Sequence, residues 1–167
     1  SELEASRIDW SQFLRTGTVS LAPKKQLRPH QRDALKAVTE GLAEADRGKL
    51  IMACGTGKTF TGLRIAEALA GPGKRVLFMV PSLALMSQTV REWSNDRQQE
   101  FTAFSACSDV RIGRNADADS LDLNVHDLTF PATTDPQKLA QQVAAAPSDR
   151  MTVVFSTYHS IDVLTRA

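Results

Sequence analysis

Apolar residues along this chain gather in short continuous runs separated by stretches of helical spacing. Leu50 to Ala53, Arg75 to Val80, residues 101–106 and Met151 to Phe155 are runs of strand length, each bounded by polar or glycine-bearing segments. Between them, Leu35, Val38 and Leu42 recur on one face of a stretch from Arg28 to about Glu44 that carries Pro29 at its start. The pattern predicts strands at 49–53, 75–80, 101–106 and 151–156. It predicts helices at 28–44, 58–70, about 82–94 with Ser82 as N-cap, 136–146, and a short one from about Ser160. Gly71-Pro72-Gly73 reads as the turn before the second strand. Strand and helix in alternation mean an α/β fold, a parallel sheet with flanking helices. The run Arg75 to Val80 is continuous, of the kind a buried parallel strand requires. Residues 1–25 read as a linker whose Trp10, Phe13 and Leu14 form a small apolar anchor, and 26–167 as the domain itself. Residues 109–134, rich in Asp, Asn and Thr, form a long excursion with no legible role.

The first strand leads into M-A-C-G-T-G-K-T at residues 52–59, and a helical stretch follows at once. A turn built on Gly55 and Gly57, with Cys54 and Thr56 between and before them, can point backbone N–H groups at phosphate oxygens. The helix start adds unpaired donors and a positive dipole end. Lys58 supplies a mobile cation for the β- and γ-phosphates, and Thr59 a hydroxyl ligand for Mg²⁺. The common form G-x-x-x-x-G-K-[ST] has glycine where this chain has Met52. A glycine turn with an incidental lysine is the competing explanation; strand, turn, Gly-Lys-Thr and helix together favour the phosphate loop.

Composition narrows the class. The 167 residues suit one domain with a real core, and a net charge of +1 declares no strongly basic face. Phosphate contacts from helix starts need little net charge, so DNA stays open as a partner. Cys54 and Cys107 are too few for a disulfide framework or a zinc cluster, which fits a reducing cytoplasm. No run approaches the roughly 20 apolar residues of a membrane span, and no signal-peptide core is visible at the N-terminus.

Ligands of parallel sheets bind at the carboxyl ends of strands. Here those ends read Val80-Pro81-Ser82, Cys107-Ser108-Asp109 and Ser156-Thr157-Tyr158-His159-Ser160. Singly, each is ordinary capping chemistry. Together, beside a phosphate loop, they suit the backbone of a polynucleotide held without reading its bases.

These strings resemble a known family. M-A-C-G-T-G-K-T is similar to motif I of superfamily 2 helicases and translocases of the DEAD/DEAH-like kind. V-L-F-M-V-P-S-L-A-L-M-S-Q-T at 76–89 is similar to their motif Ia. L-R-P-H-Q-R-D-A-L at 27–35 resembles the element that precedes motif I in restriction-enzyme motor subunits. C-S-D at 107–109, T-T-D-P at 133–136, V-V-F-S-T-Y-H-S at 153–160 and the lead-in I-D-W-S-Q-F resemble the ATPase of large single-chain restriction–modification enzymes. The resemblance covers about residues 8–167 and implies a RecA-like P-loop NTPase fold, the first motor domain of an ATP-dependent DNA helicase or translocase. It implies ATP and Mg²⁺ as cofactors and double-stranded DNA as partner. A second motor domain and nuclease or methyltransferase modules would belong to the same polypeptide.

By position, the resemblance makes Gln31 the reader of the adenine edge, with Arg28 supporting that pocket. Trp10 or Phe13 could stack on the base, although a plain hydrophobic anchor is the stronger reading. Pro81, Ser82, Gln88, Ser108, Thr157 and Tyr158 fall where family members track a nucleic-acid backbone; Tyr158 could equally be buried. His30 reads as a helix-start residue, and His159 has no partner that would argue for proton transfer.

Hydrolysis in this superfamily also needs an apolar strand ending in Asp-Glu to hold Mg²⁺ and orient water. No such strand is present in the sequence, and the resemblance places it roughly 20 residues further on. The expectation is therefore a truncated first motor domain that ends before this motif. It would bind nucleotide weakly, would not translocate alone, and would expose a sheet edge prone to association. Two rivals remain: an unrelated phosphate-loop enzyme such as a kinase or GTPase, and a non-catalytic binding module that keeps the loop as a relic.

Overall fold

In the computed structural model, residues 8, 10–19, 24–108 and 132–167 are described. Its centre is the strand Met151–Thr157, almost wholly buried along its length. The strands Arg75–Val80 (β1), Phe101–Ala106 (β2), Ala132–Thr133 (β3) and Met151–Thr157 (β4) form one parallel sheet in the order β1-β4-β2-β3. Helices are Trp10–Thr16 (α1), Pro29–Glu44 (α2), Lys58–Leu69 (α3), Leu83–Asp96 (α4), Pro136–Ala144 (α5) and Ile161–Thr165 (α6), the last preceded by a 3₁₀ turn at Tyr158–Ser160. The sequence-based fold class holds: helices flank one sheet, and its pairings are all parallel.

Successive side chains of a strand point to opposite faces, and β4 uses both. Met151, Val153 and Phe155 enter a core with Leu63 of α3 and Met86, Val90 and Trp93 of α4. Val154 turns the other way, to a smaller cluster of Ala106, Leu139 and Val163. Trp93 fills the middle of the larger core. Its ring lies 4.8 Å from Phe78, 5.3 Å from Phe155 and 6.3 Å from Phe101, all edge-on, the arrangement that ring quadrupoles favour.

Helix starts follow local chemistry. Ser82 caps α4, its Oγ accepting the Leu85 N–H, and Asp135 caps α5 by accepting from Gln137 and Lys138. Helix α5 ends at Ala144, within the expected span. Of the long excursion, residues 109–131 lie outside the described part. Ala132–Thr133 form β3 beside β2, a pairing too short for periodicity to reveal.

One expected strand is corrected. Residues 49–53 join no ladder among the described residues. A strand is defined by its partner, and no described segment runs alongside this one, so apolar content alone did not suffice. Leu50 and Ile51 are 42% and 85% exposed. Among the described residues β1 is the terminal strand of the sheet, paired with β4 alone.

Charge is buried between α3 and the turn after α4. Arg64 and Glu67 are about 5% exposed and paired with each other. Arg64 also donates to the Asp96 carbonyl (2.8 Å) and lies over the Phe60 ring. Glu67 Oε1 accepts the N–H groups of Gln98 and Gln99 at 2.6 and 3.1 Å. Lys25 approaches Asp96 at 2.9 Å, tying in the segment before α2. Glu67→Ala would leave a buried guanidinium and two backbone donors without their acceptor. It should therefore cost about 3–5 kcal/mol, read as a lower urea midpoint; a shift below about 1 kcal/mol would show the pair to be dispensable.

Candidate functional site

The polypeptide reverses at 54–57 through backbone that L-residues avoid. Gly55 has φ +75° and Gly57 φ +81°, both in the left-handed region that glycine enters freely. Gly57 is the residue before α3, so the turn delivers its N–H groups directly to a helix start. Thr56 Oγ1 donates to the Ala53 carbonyl (2.7 Å) and steadies the turn from within. Lys58 reaches back along the loop, its Nζ donating to the carbonyls of Ala53 (2.9 Å) and Met52 (3.3 Å). Cys54, Gly55 and Lys58 are exposed, while Thr56, Gly57 and Thr59 are half-buried.

Gln31 is brought onto this loop from α2. It is 4% exposed, and its Nε2 donates to the Thr56 carbonyl (2.9 Å). Its Oε1 accepts the Arg28 N–H (2.9 Å), which closes the first turn of α2. A Cβ at Gly57 would collide with the Gln31 amide, so a side chain there strains φ and must also push Gln31 off the Thr56 carbonyl. His30 also approaches the Thr56 carbonyl, at 3.1 Å. It is a contact of the helix start, as the sequence suggested, and it falls on the same carbonyl as Gln31.

Gly55, Thr56, Gly57, Gln31 and Arg28 line one cavity of about 330 Å³ with Lys25, Gln26, Phe60 and Glu92. The three loop residues were legible in the sequence, and Gln31 and Arg28 through the family resemblance. Glu92 comes from the middle of α4 and Phe60 from α3, and nothing in their local sequence marks them. Phe13, weighed for base stacking, is half-buried on α1, and it does not line this cavity. The side chain of Trp10 lies outside the described part.

A second group gathers at the carboxyl ends of three neighbouring strands. The register aligns Val80 with Thr157 and Ala106 with Ser156, so Pro81-Ser82, Thr157-Tyr158 and Cys107-Ser108 stand side by side. Pro81, Ser82, Gln88, Ser108 and Tyr158 are exposed, Tyr158 by 57%. Thr157 differs: it is 4% exposed and its hydroxyl is 2.8 Å from Ser160 Oγ. Ser160 Oγ also accepts the Ser108 N–H (2.9 Å) and lies 3.4 Å from Ser108 Oγ. Ser160, fully buried, thus joins the loops after β2 and β4. Sequence marked it as a helix start and as the last residue of the third strand-end string, not as a buried link between loops. Gln88, further along α4, donates from Nε2 to Oε1 of Glu92 (2.8 Å), which lines the cavity.

Among the described residues no cluster of His, Cys, Asp and Glu has the make-up of a metal centre, and neither Cys54 nor Cys107 is in a disulfide. No described helix is long and apolar enough to cross a membrane.

Among curated proteins, none matches this chain. Solved structures do. The chain is 40% identical to a chain of the ATP-dependent Type ISP restriction-modification enzyme LlaBIII bound to DNA, with a TM-score of 0.74 over 95% of its length. It is 41% identical, with a TM-score of 0.68 over 86% of its length, to a nuclease-deletion mutant of the Type ISP restriction-modification enzyme LlaGI in complex with a DNA substrate mimic. It spans only 10% and 14% of those two chains. Residues 24–165 match the family model ResIII, Type III restriction enzyme, res subunit. With most of its length inside that match, the chain belongs to the ResIII family.

Proposed function

We propose that this chain is the nucleotide-binding part of an ATP-dependent motor that acts on double-stranded DNA, within a larger cytoplasmic restriction–modification polypeptide. The observation that carries it is the closure of Gln31 over the glycine loop: Gln31 and Arg28 line one cavity with Gly55, Thr56 and Gly57, and Lys58 follows directly at the helix start. Family membership and the likeness to two ATP-dependent or DNA-bound restriction enzymes support the same reading.

The chemistry assigned to each residue follows from its donors and acceptors. Lys58 exchanges the Met52 and Ala53 carbonyls for phosphate oxygens, and the loop N–H groups from Gly55 to Thr59 surround those oxygens. Gln31 keeps one amide hydrogen and one lone pair beyond its contacts with Thr56 and Arg28. That adjacent donor and acceptor suit the amino and ring nitrogens of adenine, with Arg28 holding the amide in place through its backbone. Mg²⁺ is an oxygen-seeking ion that keeps waters and phosphates as ligands. The Thr59 hydroxyl, half-buried at the start of α3, fits it as a single protein oxygen. Bound there, the ion would neutralise phosphate charge. The carboxylate that orients water is assigned to the remainder of the longer polypeptide, together with the second motor domain.

Pro81, Ser82, Gln88, Ser108 and Tyr158 are assigned to the DNA backbone. The exposure of Pro81, Ser82, Ser108 and Tyr158 along adjacent strand ends, roughly 5 Å apart, with Gln88 exposed on α4 beyond them, suits successive phosphate contacts better than base reading. Thr157 contributes indirectly, by fixing Ser160.

Turnover of ATP by the polypeptide carrying this chain, with and without duplex DNA, tests the assignment. Acceleration by DNA is expected; indifference to DNA would favour a different phosphate-loop enzyme. Lys58→Ala should lower turnover about a hundredfold or more while leaving the urea midpoint in place, since Lys58 is exposed. Gly57→Ala meets both the φ restriction and the Gln31 amide, and should weaken binding of a fluorescent ATP analogue about tenfold or more, a loss of some 1.4 kcal/mol. Ser160→Ala deletes the acceptor of the Ser108 N–H. Duplex affinity should drop about two- to tenfold with ATP affinity unchanged; equal loss of both would mean a general folding defect.

A further inference from the structure

Helix α4 touches both groups of candidate residues. Ser82 stands at its N-terminus, in the strand-end group, and Gln88 lies further along on its exposed side. Its other side is fastened to α3. Trp93 Nε1–H donates to the Thr59 carbonyl at 3.0 Å, Arg64 holds the Asp96 carbonyl, and Glu67 holds the N–H groups of Gln98 and Gln99. These fastenings are spaced along α3 from its first turn to its last.

The Trp93 contact differs from the rest. It falls on Thr59, the second residue of α3 and the neighbour of Lys58. Trp93 has no exposure, and its ring is walled in by Phe78, Phe155 and Phe101. An indole has one N–H and no acceptor. With its ring plane fixed by three aromatic neighbours, that hydrogen has one place to go, the carbonyl at the start of α3. Any displacement of α4 relative to α3 must carry Thr59 along or sacrifice a buried hydrogen bond.

We propose that Trp93 is a positioning residue that couples nucleic-acid engagement on α4 to the geometry of Lys58 and Thr59. The proposal rests on the motor reading above. Trp93 touches neither DNA nor nucleotide; it acts through the Thr59 carbonyl. A second link runs parallel to it, since Gln88 on the exposed side bonds Glu92, which lines the nucleotide cavity.

Trp93→Phe, made in the full polypeptide, keeps an aromatic ring in the core and removes the N–H. ATP turnover is measured against ATP concentration with and without duplex DNA, and DNA affinity is measured separately. The expected result is a DNA-stimulated kcat lowered about two- to tenfold, the worth of one hydrogen bond. ATP KM, unstimulated turnover and DNA affinity should stay within about twofold of wild type. Full stimulation in the variant overturns the proposal, as does a uniform loss of every parameter, which is the signature of a merely structural role.

The unmodified protein supplies an independent reading should the variant fail to fold. Hydrogen exchange is followed by mass spectrometry for residues 57–66, with duplex DNA and no nucleotide. Slower exchange in the first turn of α3 on adding DNA supports the coupling. Slowing confined to residues 82–92 overturns it. A wild-type enzyme whose turnover ignores DNA removes the motor reading first and this proposal with it, an outcome distinct from a stimulated enzyme in which Trp93→Phe changes nothing.

Discussion

Burial of β4 on both faces is the constraint from which the rest of this domain follows. A strand with apolar side chains on each side must have a layer above and a layer below. Here Met151, Val153 and Phe155 require α3 and α4, while Val154 requires the cluster of Ala106, Leu139 and Val163. Parallel pairing to β1 on one side and β2 on the other then sets three strand ends level with one another. The candidate polynucleotide contacts owe their alignment to that register. Ser156 and Thr157 are unremarkable hydroxyl residues until β4 carries them between Val80 and Ala106.

The same core governs the nucleotide side. Phe155 is one wall around Trp93, and Trp93 reaches Thr59. The first turn of the helix that begins with Lys58 is thereby referenced to the centre of the domain. Its far end is referenced to the turn after α4 by Arg64 and Glu67. Buried ion pairs bring little net stability against hydrophobic replacements. This pair, with its added backbone bonds, defines one relative placement of α3 and α4, which an apolar pair would leave less sharply defined. The glycine loop itself has little packing of its own. It is steadied by Thr56 within the turn and by Gln31 from outside.

Local pattern made much of this legible. Run length and helical spacing marked β1, β2 and β4 and helices α2 to α5 within a residue or two, because the strands are short runs bounded by polar or glycine-bearing segments and the helices carry a period or a start signal such as Ser82. Gly55, Gly57, Lys58 and Thr59 were legible because the glycines must adopt positive φ and the lysine must follow them at a helix start. Gln31 was legible only through family resemblance; as a lone polar residue near a helix start it looks solvated, yet it is among the most buried polar side chains. The failure at 49–53 has the opposite cause. Its composition is that of a strand, but strand pairing is a relation between distant segments, and none of the described segments supplies a ladder there.

Local sequence was enough for most of the elements, the parallel α/β class and the glycine-loop chemistry, since these rest on runs, caps and turns a few residues long; the strand expected at 49–53 is the exception. Tertiary structure alone decided that Glu92, Phe60 and Lys25 complete the cavity, that Thr157 faces Ser160 instead of solvent, and that Trp93 bonds Thr59. The Trp93 and Glu92 contacts join residues some 30 to 60 positions apart, and the Thr157 bond exists because burial of β4 closes its end over the following turn. Only the packing of two layers on β4 brings such groups within hydrogen-bonding distance, and no local period encodes that approach.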